Sequence, residues 1–135
     1  MKVLSDLIRV TAAIIQREGR LLLAQRKRGL TQGLKWELPG GKIEVDETPE
    51  DCLSRELMEE LSVRARVGDL FASSIYTYRD AAVEILAYQV ELMEENFRLN
   101  SHEKIAWVPI YRLKEYDLAE ADKPIIEEII ASNQT

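Results

Sequence analysis

An α+β fold, with a mixed β-sheet layered against helices, is what this sequence predicts, and three features predict it. β-rich segments and helical patterns are interspersed without the strict alternation of a doubly wound parallel sheet. The 135 residues are 46% hydrophobic, enough for one real core and too few for two comfortable ones. No repeat, low-complexity tract or Pro- and Gly-rich linker divides them, so residues 1–135 are expected to form one domain.

The elements follow in order. Val10 to Ile15 is short, mostly apolar and rich in β-branched residues, which suits a buried strand. Arg17-Glu18-Gly19-Arg20 reads as a turn, with Leu21 to Ala24 as the partner strand of a hairpin. Lys27 to Lys35, broken by Gly29 and Gly33, reads as a loop. Trp36-Glu37-Leu38 leads into Pro39-Gly40-Gly41, also expected to be a loop. Thr48, Pro49 and Asp51 supply a hydroxyl N-cap, a first-turn proline and an acid at the third helical position, so a helix is predicted over 49–61. Val63 to Tyr78 and Ala82 to Leu92 are β-rich, with a turn at Arg79-Asp80-Ala81. Ile105 to Val108 looks like one more short strand. Ile125, Ile126, Ile129 and Ile130 mark the apolar stripe of a C-terminal helix.

Charge narrows the function classes. The chain carries 24 acidic and 18 basic residues, a formal net charge of −6, which argues against wrapping a nucleic-acid polymer with clustered Lys and Arg. A small phosphorylated substrate stays admissible, because a bound cation reverses the local sign. The single cysteine, Cys52, cannot form an intrachain disulfide. Met1 to Arg9 includes Asp6 and Arg9 and lacks a signal-peptide layout, and no run approaches the roughly 18 apolar residues of a membrane span. A cytoplasmic protein that does not engage membranes is expected.

The central helix carries the chemistry. With about 100° per residue, Leu53, Leu57 and Leu61 form one apolar stripe, and Glu56, Glu59 and Glu60 gather on an adjacent face. Glu56 and Glu60 are an i, i+4 pair of like charge, mildly unfavourable in an isolated helix. Two readings stand. One is a solvated acidic face, supported by Arg55 at attractive spacings from Asp51 and Glu59. The other is a site for Mg²⁺ or Mn²⁺, where oxygen ligands tolerate one another around the ion. The helix alone does not decide between them.

The whole segment does. Gly41, Glu47 and then Arg55-Glu56-Leu57-Met58-Glu59-Glu60-Leu61-Ser62-Val63, at fixed spacing, resemble the Nudix box of the Nudix hydrolases. Trp36-Glu37-Leu38-Pro39-Gly40-Gly41-Lys42-Ile43-Glu44 ahead of it is similar to the MutT-like branch. The resemblance implies a layered α/β/α Nudix fold, with a mixed sheet sandwiched between helices. It also implies a Mg²⁺-dependent nucleotide pyrophosphohydrolase (Mn²⁺ as substitute) with a small nucleotide as partner, working as a monomer or homodimer. Carried over by position, Glu56, Glu59, Glu60 and the Gly40 carbonyl would hold the metal. Arg55 would orient the glutamates, Glu47 would brace the loop, and Gly40 and Gly41 would let the backbone approach the phosphates. Gly41 and Lys42 are expected on the substrate side. Cys52 is expected to be a small packing residue.

A general base must deprotonate or orient the attacking water. Glu103, beside His102, resembles the position where MutT-like enzymes carry such a glutamate, and a box glutamate is the other candidate; His102 itself is expected at the surface. Arg26 sits where the branch has an arginine facing the nucleotide, and an ordinary strand-end charge is the competing reading. Asp122 falls where the branch places a base-reading Asn or Asp, but it also suits a helix N-cap ahead of Lys123-Pro124. Tyr76 and Tyr78 could stack on a base or simply pack across strands.

One box position departs from the pattern. The family has glycine where this chain has Ser62, and a left-handed serine there would cost about 1 kcal/mol. The expected reaction converts a nucleoside triphosphate to the monophosphate and pyrophosphate, the substrate being an oxidised or non-standard nucleotide or CTP. A dinucleoside polyphosphate or ADP-ribose is the alternative substrate, with Tyr78 a loose marker of the former. A catalytically silent nucleotide-binding domain is the other alternative.

Overall fold

The computed structural model describes residues 6–134, Asp6 as backbone only; Met1 to Ser5, which open the segment considered for a signal sequence, lie outside the described residues. No described helix is long and apolar enough to cross a membrane. The strands are β1 (Asp6–Ile14), β2 (Gln16–Arg17), β3 (Arg20–Arg26), β4 (Trp36–Glu37), β5 (Gly40–Lys42), β6 (Ala65–Tyr78), β7 (Ala81–Leu92) and β8 (His102–Pro109). The helices are α1 (Pro49–Leu61) and α2 (Lys123–Ser132), with 3-10 turns at Ile110–Glu115 and Glu120–Asp122.

Among the described residues the strands form two four-stranded sheets. The first has the order β5-β1-β7-β6 and is mixed: β1 runs parallel to β7, while β5 and β6 are antiparallel to their neighbours. In the second, β3 pairs with β2, β4 and β8, all antiparallel. The two-residue turn Glu18-Gly19 joins β2 to β3 with both residues at positive φ, the backbone a tight hairpin requires.

Alternation along β1, β3 and β7 builds a core on both sides. Ala12, Ile14, Leu21, Leu23, Ile85 and Ala87 belong to a cluster with Ile125, Ile126 and Ile129 of α2. Ala13, Ile15, Leu22, Leu86 and Tyr88 instead pack with Leu53, Leu57 and Leu61 of α1. The apolar stripe read from the sequence of α1 is thus its core side, and the sheets lie between helix-bearing layers.

Local chemistry sets the α1 start as expected: the Thr48 Oγ1 accepts the Asp51 N–H at 3.1 Å, with Pro49 in the first turn. At the other end Ser62 adopts φ 60°, ψ 37°, the left-handed conformation that glycine takes more cheaply. Asn100 offsets part of that strain. Its Nδ2 donates to the Glu59 carbonyl at 2.8 Å and to the Ser62 Oγ at 3.0 Å, and its own N–H donates to the Glu60 carbonyl at 3.0 Å.

The sequence reading is corrected twice: Val10 to Ile14 pairs with β5 and β7 rather than with Leu21 to Ala24, so the hairpin is carried by β2 and β3. Gly40 and Gly41 were expected in a loop, yet Gly40–Lys42 is a strand, paired with Val10 to Ala12 of β1. Glycine is required there for packing: at φ +153°, a Cβ on Gly40 would run into the Thr11 backbone carbonyl.

Candidate active site

Strand β5 lies against the acidic face of α1, and the two glycines make that approach possible. A Cβ on Gly41 would occupy the place of the Glu56 carboxyl group. Across the same gap the Gly40 N–H donates to Glu60 Oε1 at 3.1 Å. The threonine on β1 joins them, with Thr11 Oγ1 donating to the Gly41 carbonyl at 3.3 Å.

Arg55 organises the outer part. Its Nε and Nη2 grip both oxygens of Glu47, at 2.6 and 2.9 Å, a two-pronged pairing that ties the loop to the helix. Nη1 donates to Glu56 at 2.9 Å and to Glu59 at 3.1 Å, while Nη2 also reaches the Lys42 carbonyl at 3.1 Å. The Arg55 hydrogen bonds hold the Glu47 carboxyl down at about 2, and the glutamates push the guanidinium further up. Cys52 is fully buried beneath this group, its thiol raised by burial, as befits a packing residue.

The inner carboxylates behave oppositely. Burial raises Glu60 to about 8, against the lowering effect of the Gly40 N–H, and the negative charges of Glu56, Glu37 and Glu59 add to the rise. Glu56 is also raised, by burial first, with Arg55 opposing. These are oxygen donors short of positive charge, the chemistry that suits a hard divalent cation. They are not gathered around one point: among the described residues no three acidic, His or Cys side chains stand close enough to share an ion. Glu56 and Glu59 turn to Arg55, and Glu60 turns to Gly40. The donor set therefore fits such an ion chemically, with side-chain rotation needed to converge on it.

From Glu60 the site continues into a cleft of about 240 Å³, lined among others by Thr11, Arg26, Glu37, Gly40 and Asp122. Arg26, at the end of β3, donates to Glu37 Oε1 at 3.2 Å and through Nε to the Thr31 carbonyl at 2.9 Å. Asp122 does not cap α2: its side chain makes no capping bond and instead accepts the Leu38 N–H at 2.9 Å. Burial lifts its carboxyl to about 7. A larger groove of about 620 Å³, where Arg66, Gly68 and Phe71 of β6 meet Asn133, lies apart from the box carboxylates.

The structure thus brings Gly40, Gly41, Arg55, Glu56, Glu59 and Glu60 together and joins them to Arg26 and Asp122. It does not bring in three others. Tyr78 is exposed opposite Ala81, five residues farther along β7 than the level of Thr11, about 16 Å of strand. Glu103 is exposed on β8, within a strand rather than a loop, and does not line the cleft. Lys42 lines not the cleft but a groove with Arg9, Glu44 and Glu47, and its carbonyl accepts from Arg55 Nη2. His102, expected at the surface, is 5% exposed, because β8 continues its pairing with β3 as far as Arg26 and turns the imidazole inward to Glu37. Glu37 was passed over as a site residue; its place between Trp36 and the glycines was the available signal.

A mixed sheet between helix layers, with a glycine strand facing a glutamate-bearing helix, defines the Nudix class of domain. The NUDIX domain model matches residues 6–129, and the chain belongs to the Nudix hydrolase family. It is 37% identical over 125 residues to the CTP pyrophosphohydrolase of Escherichia coli K12, covering 93% of each chain. It is 32% identical over 126 residues to the 8-oxo-dGTP diphosphatase of Haemophilus influenzae, covering 92% of each. Among solved structures, the E. coli ORF135 protein superposes with a TM-score of 0.84 at 36% identity, covering 93% of this chain and 90% of that one.

Proposed function

We propose that this protein is a Mg²⁺-dependent nucleoside triphosphate pyrophosphohydrolase, releasing the nucleoside monophosphate and pyrophosphate. CTP and oxidised guanine nucleotides are the first candidates as substrate, after the names of its relatives. The observation that carries the reading is the continuity of the cleft, with Glu60 of α1 at one end and Arg26, Glu37 and Asp122 at the other. One end suits a cation-bound polyphosphate, the other a base with polar edges.

Glu56, Glu59, Glu60 and the Gly40 carbonyl would hold the cation. Mg²⁺, when bound, supplies charge neutralisation to the polyphosphate and lowers the pKa of a coordinated water. The chain's own residues do the rest. Arg55 fixes Glu56 and Glu59 while Glu47 anchors Arg55. Gly40 and Gly41 leave the room that β5 needs to lie against the Thr11 backbone and the Glu56 carboxyl group. The base role falls to a box glutamate on position, since Glu103 stands outside the cleft. Asp122 and Arg26 would face the nucleoside.

Incubation with Mg²⁺ and a panel of nucleoside triphosphates, dinucleoside polyphosphates and ADP-ribose, with product identification, tests substrate and cleavage position together. The expected products are a nucleoside monophosphate and pyrophosphate from a triphosphate. Turnover of the dinucleotides or ADP-ribose alone would replace the substrate class, and no turnover at all would refute the enzyme reading.

A further inference from the structure

His102 is the sole histidine of the chain and sits behind the cleft rather than in it, its side chain only 3% exposed. Its Nε2 lies 2.9 Å from Glu37 Oε2, while its Nδ1 is buried with no hydrogen-bond partner. An ionised carboxylate only accepts, so Nε2 must carry the hydrogen of this bond. The other oxygen of Glu37 accepts from Arg26 Nη1 at 3.2 Å, and Arg26 lines the cleft. Glu37 is thus held from both sides, by a buried imidazole behind and a half-buried guanidinium in front. A buried polar side chain that leaves one of its own nitrogens unpaired is kept at a cost, and the bond to Glu37 is its only visible return.

We propose that His102 is a positioning residue for nucleotide binding, fixing the Glu37 carboxylate and, through it, the Arg26 guanidinium at the nucleoside end of the cleft. The inference rests on the nucleotide reading above and adds to it a residue outside the cleft. Without the imidazole, Glu37 is free to rotate about its side-chain bonds, and Arg26 keeps only the Thr31 carbonyl as a partner in this group. Binding of the nucleoside should weaken, whereas the hydrogen bonds that hold the α1 carboxylates come from Arg55 and Gly40 and do not pass through Glu37. The expected signature is therefore in KM and not in kcat.

Steady-state kinetics of His102→Leu and His102→Gln with CTP and 8-oxo-dGTP provide the test. His102→Leu should raise KM about tenfold with kcat within about twofold of wild type. His102→Gln, whose amide donates from nearly the same place, should recover most of the loss. Unchanged KM in a folded His102→Leu protein would overturn the proposal. So would a fall in kcat that follows the melting temperature and is not recovered by His102→Gln, since that is a purely structural role. A second readout needs no turnover: nitrogen-15 spectra of wild type should show one imidazole Nε2–H signal, slow to exchange. A rapidly exchanging signal, or hydrogen on Nδ1 alone, overturns the positioning role even if nucleotides are hydrolysed. The slow signal in a protein that hydrolyses no nucleotide keeps the His102–Glu37 bond and sinks only the nucleotide reading.

Discussion

Asp122→Asn is expected to change the pH dependence of stability in a direction opposite to that of most carboxylate replacements. The Asp122 carboxyl is buried, accepts one hydrogen bond from the Leu38 N–H, and is lifted by that burial from 3.8 to about 7. A carboxyl raised on folding binds its proton more tightly in the native state. Its stabilising contribution is complete below the unfolded value and is lost as pH rises through the folded one. The full difference, about three pH units, amounts to about 4 kcal/mol. Between about pH 5.5 and about pH 8 the share lost is about 2 kcal/mol, because native Asp122 ionises near the middle of that interval. An asparagine keeps an oxygen for Leu38 and has no charge to bury. Its amide hydrogens need partners of their own, but that cost is independent of pH and cancels when the two pH values are compared. Glu60 is raised similarly and gives both proteins the same background slope. Urea unfolding, followed by the fluorescence of Trp36 and Trp107, should show Asp122→Asn gaining about 2 kcal/mol on wild type between the two pH values. Parallel pH dependences would refute the buried, titrating carboxyl. A variant that loses ground towards high pH would show instead that the ionised form is the one the fold stabilises.

Further outcomes separate packing from chemistry in and around the box. Gly40→Ala should cost about 2–4 kcal/mol in thermal or urea unfolding, because its Cβ meets β1 backbone that cannot step aside. Gly41→Ala meets only the movable Glu56 side chain and should lower activity far more than melting temperature. Glu59→Gln should reduce kcat by about two orders of magnitude or more with the fold intact by circular dichroism, and near-normal turnover would remove Glu59 from the metal-binding set. At the helix end, Asn100→Ala should cost about 1 kcal/mol by losing the bonds to Glu59 and Ser62. Ser62→Gly should then stabilise the Asn100→Ala protein by about 1 kcal/mol and have little effect on wild type, where relief of the left-handed serine is set against the lost Asn100 contact.

What could be read from the sequence was what short-range chemistry decides. The start of α1 needs only Thr48, Pro49 and Asp51, and its faces follow from the helical period, so Leu57 in the core and Glu56, Glu59 and Glu60 off the core side were both legible. Strand β5 was not. Two consecutive glycines have the composition of a turn, and only pairing with β1, some thirty residues earlier, makes them extended. Asp122 was ambiguous for the same reason: the capping alternative is local, while the group that captures it, the Leu38 N–H, is 84 residues away. The burial of His102 depends on the β3–β8 register and on Glu37 across the fold, neither of which leaves a mark on the residues around position 102. Tyr78 and Glu103 failed to reach the cleft because strand position, unlike helix period, does not say how far along the sheet a site lies.

The acidity of the chain takes on a different meaning at this cleft. Glu37, Glu60 and Asp122 line it against one cation, Arg26, a poor balance for a polyanion if every carboxyl were ionised. Burial changes that balance, with Glu60 at about 8 and Asp122 at about 7, so near neutral pH much of the negative charge is suppressed in the free protein. The two carboxyls respond to different things. A divalent cation at the α1 end favours ionised Glu60 and reverses the local sign for phosphate. Asp122, at the other end beside Leu38, has no such help and is divided between its protonated and ionised forms near pH 7. On the proposed reading the same physical cause, burial of a carboxyl, therefore serves opposite purposes at the two ends: a proton to be displaced by metal in one, a group able to donate or accept at a base edge in the other.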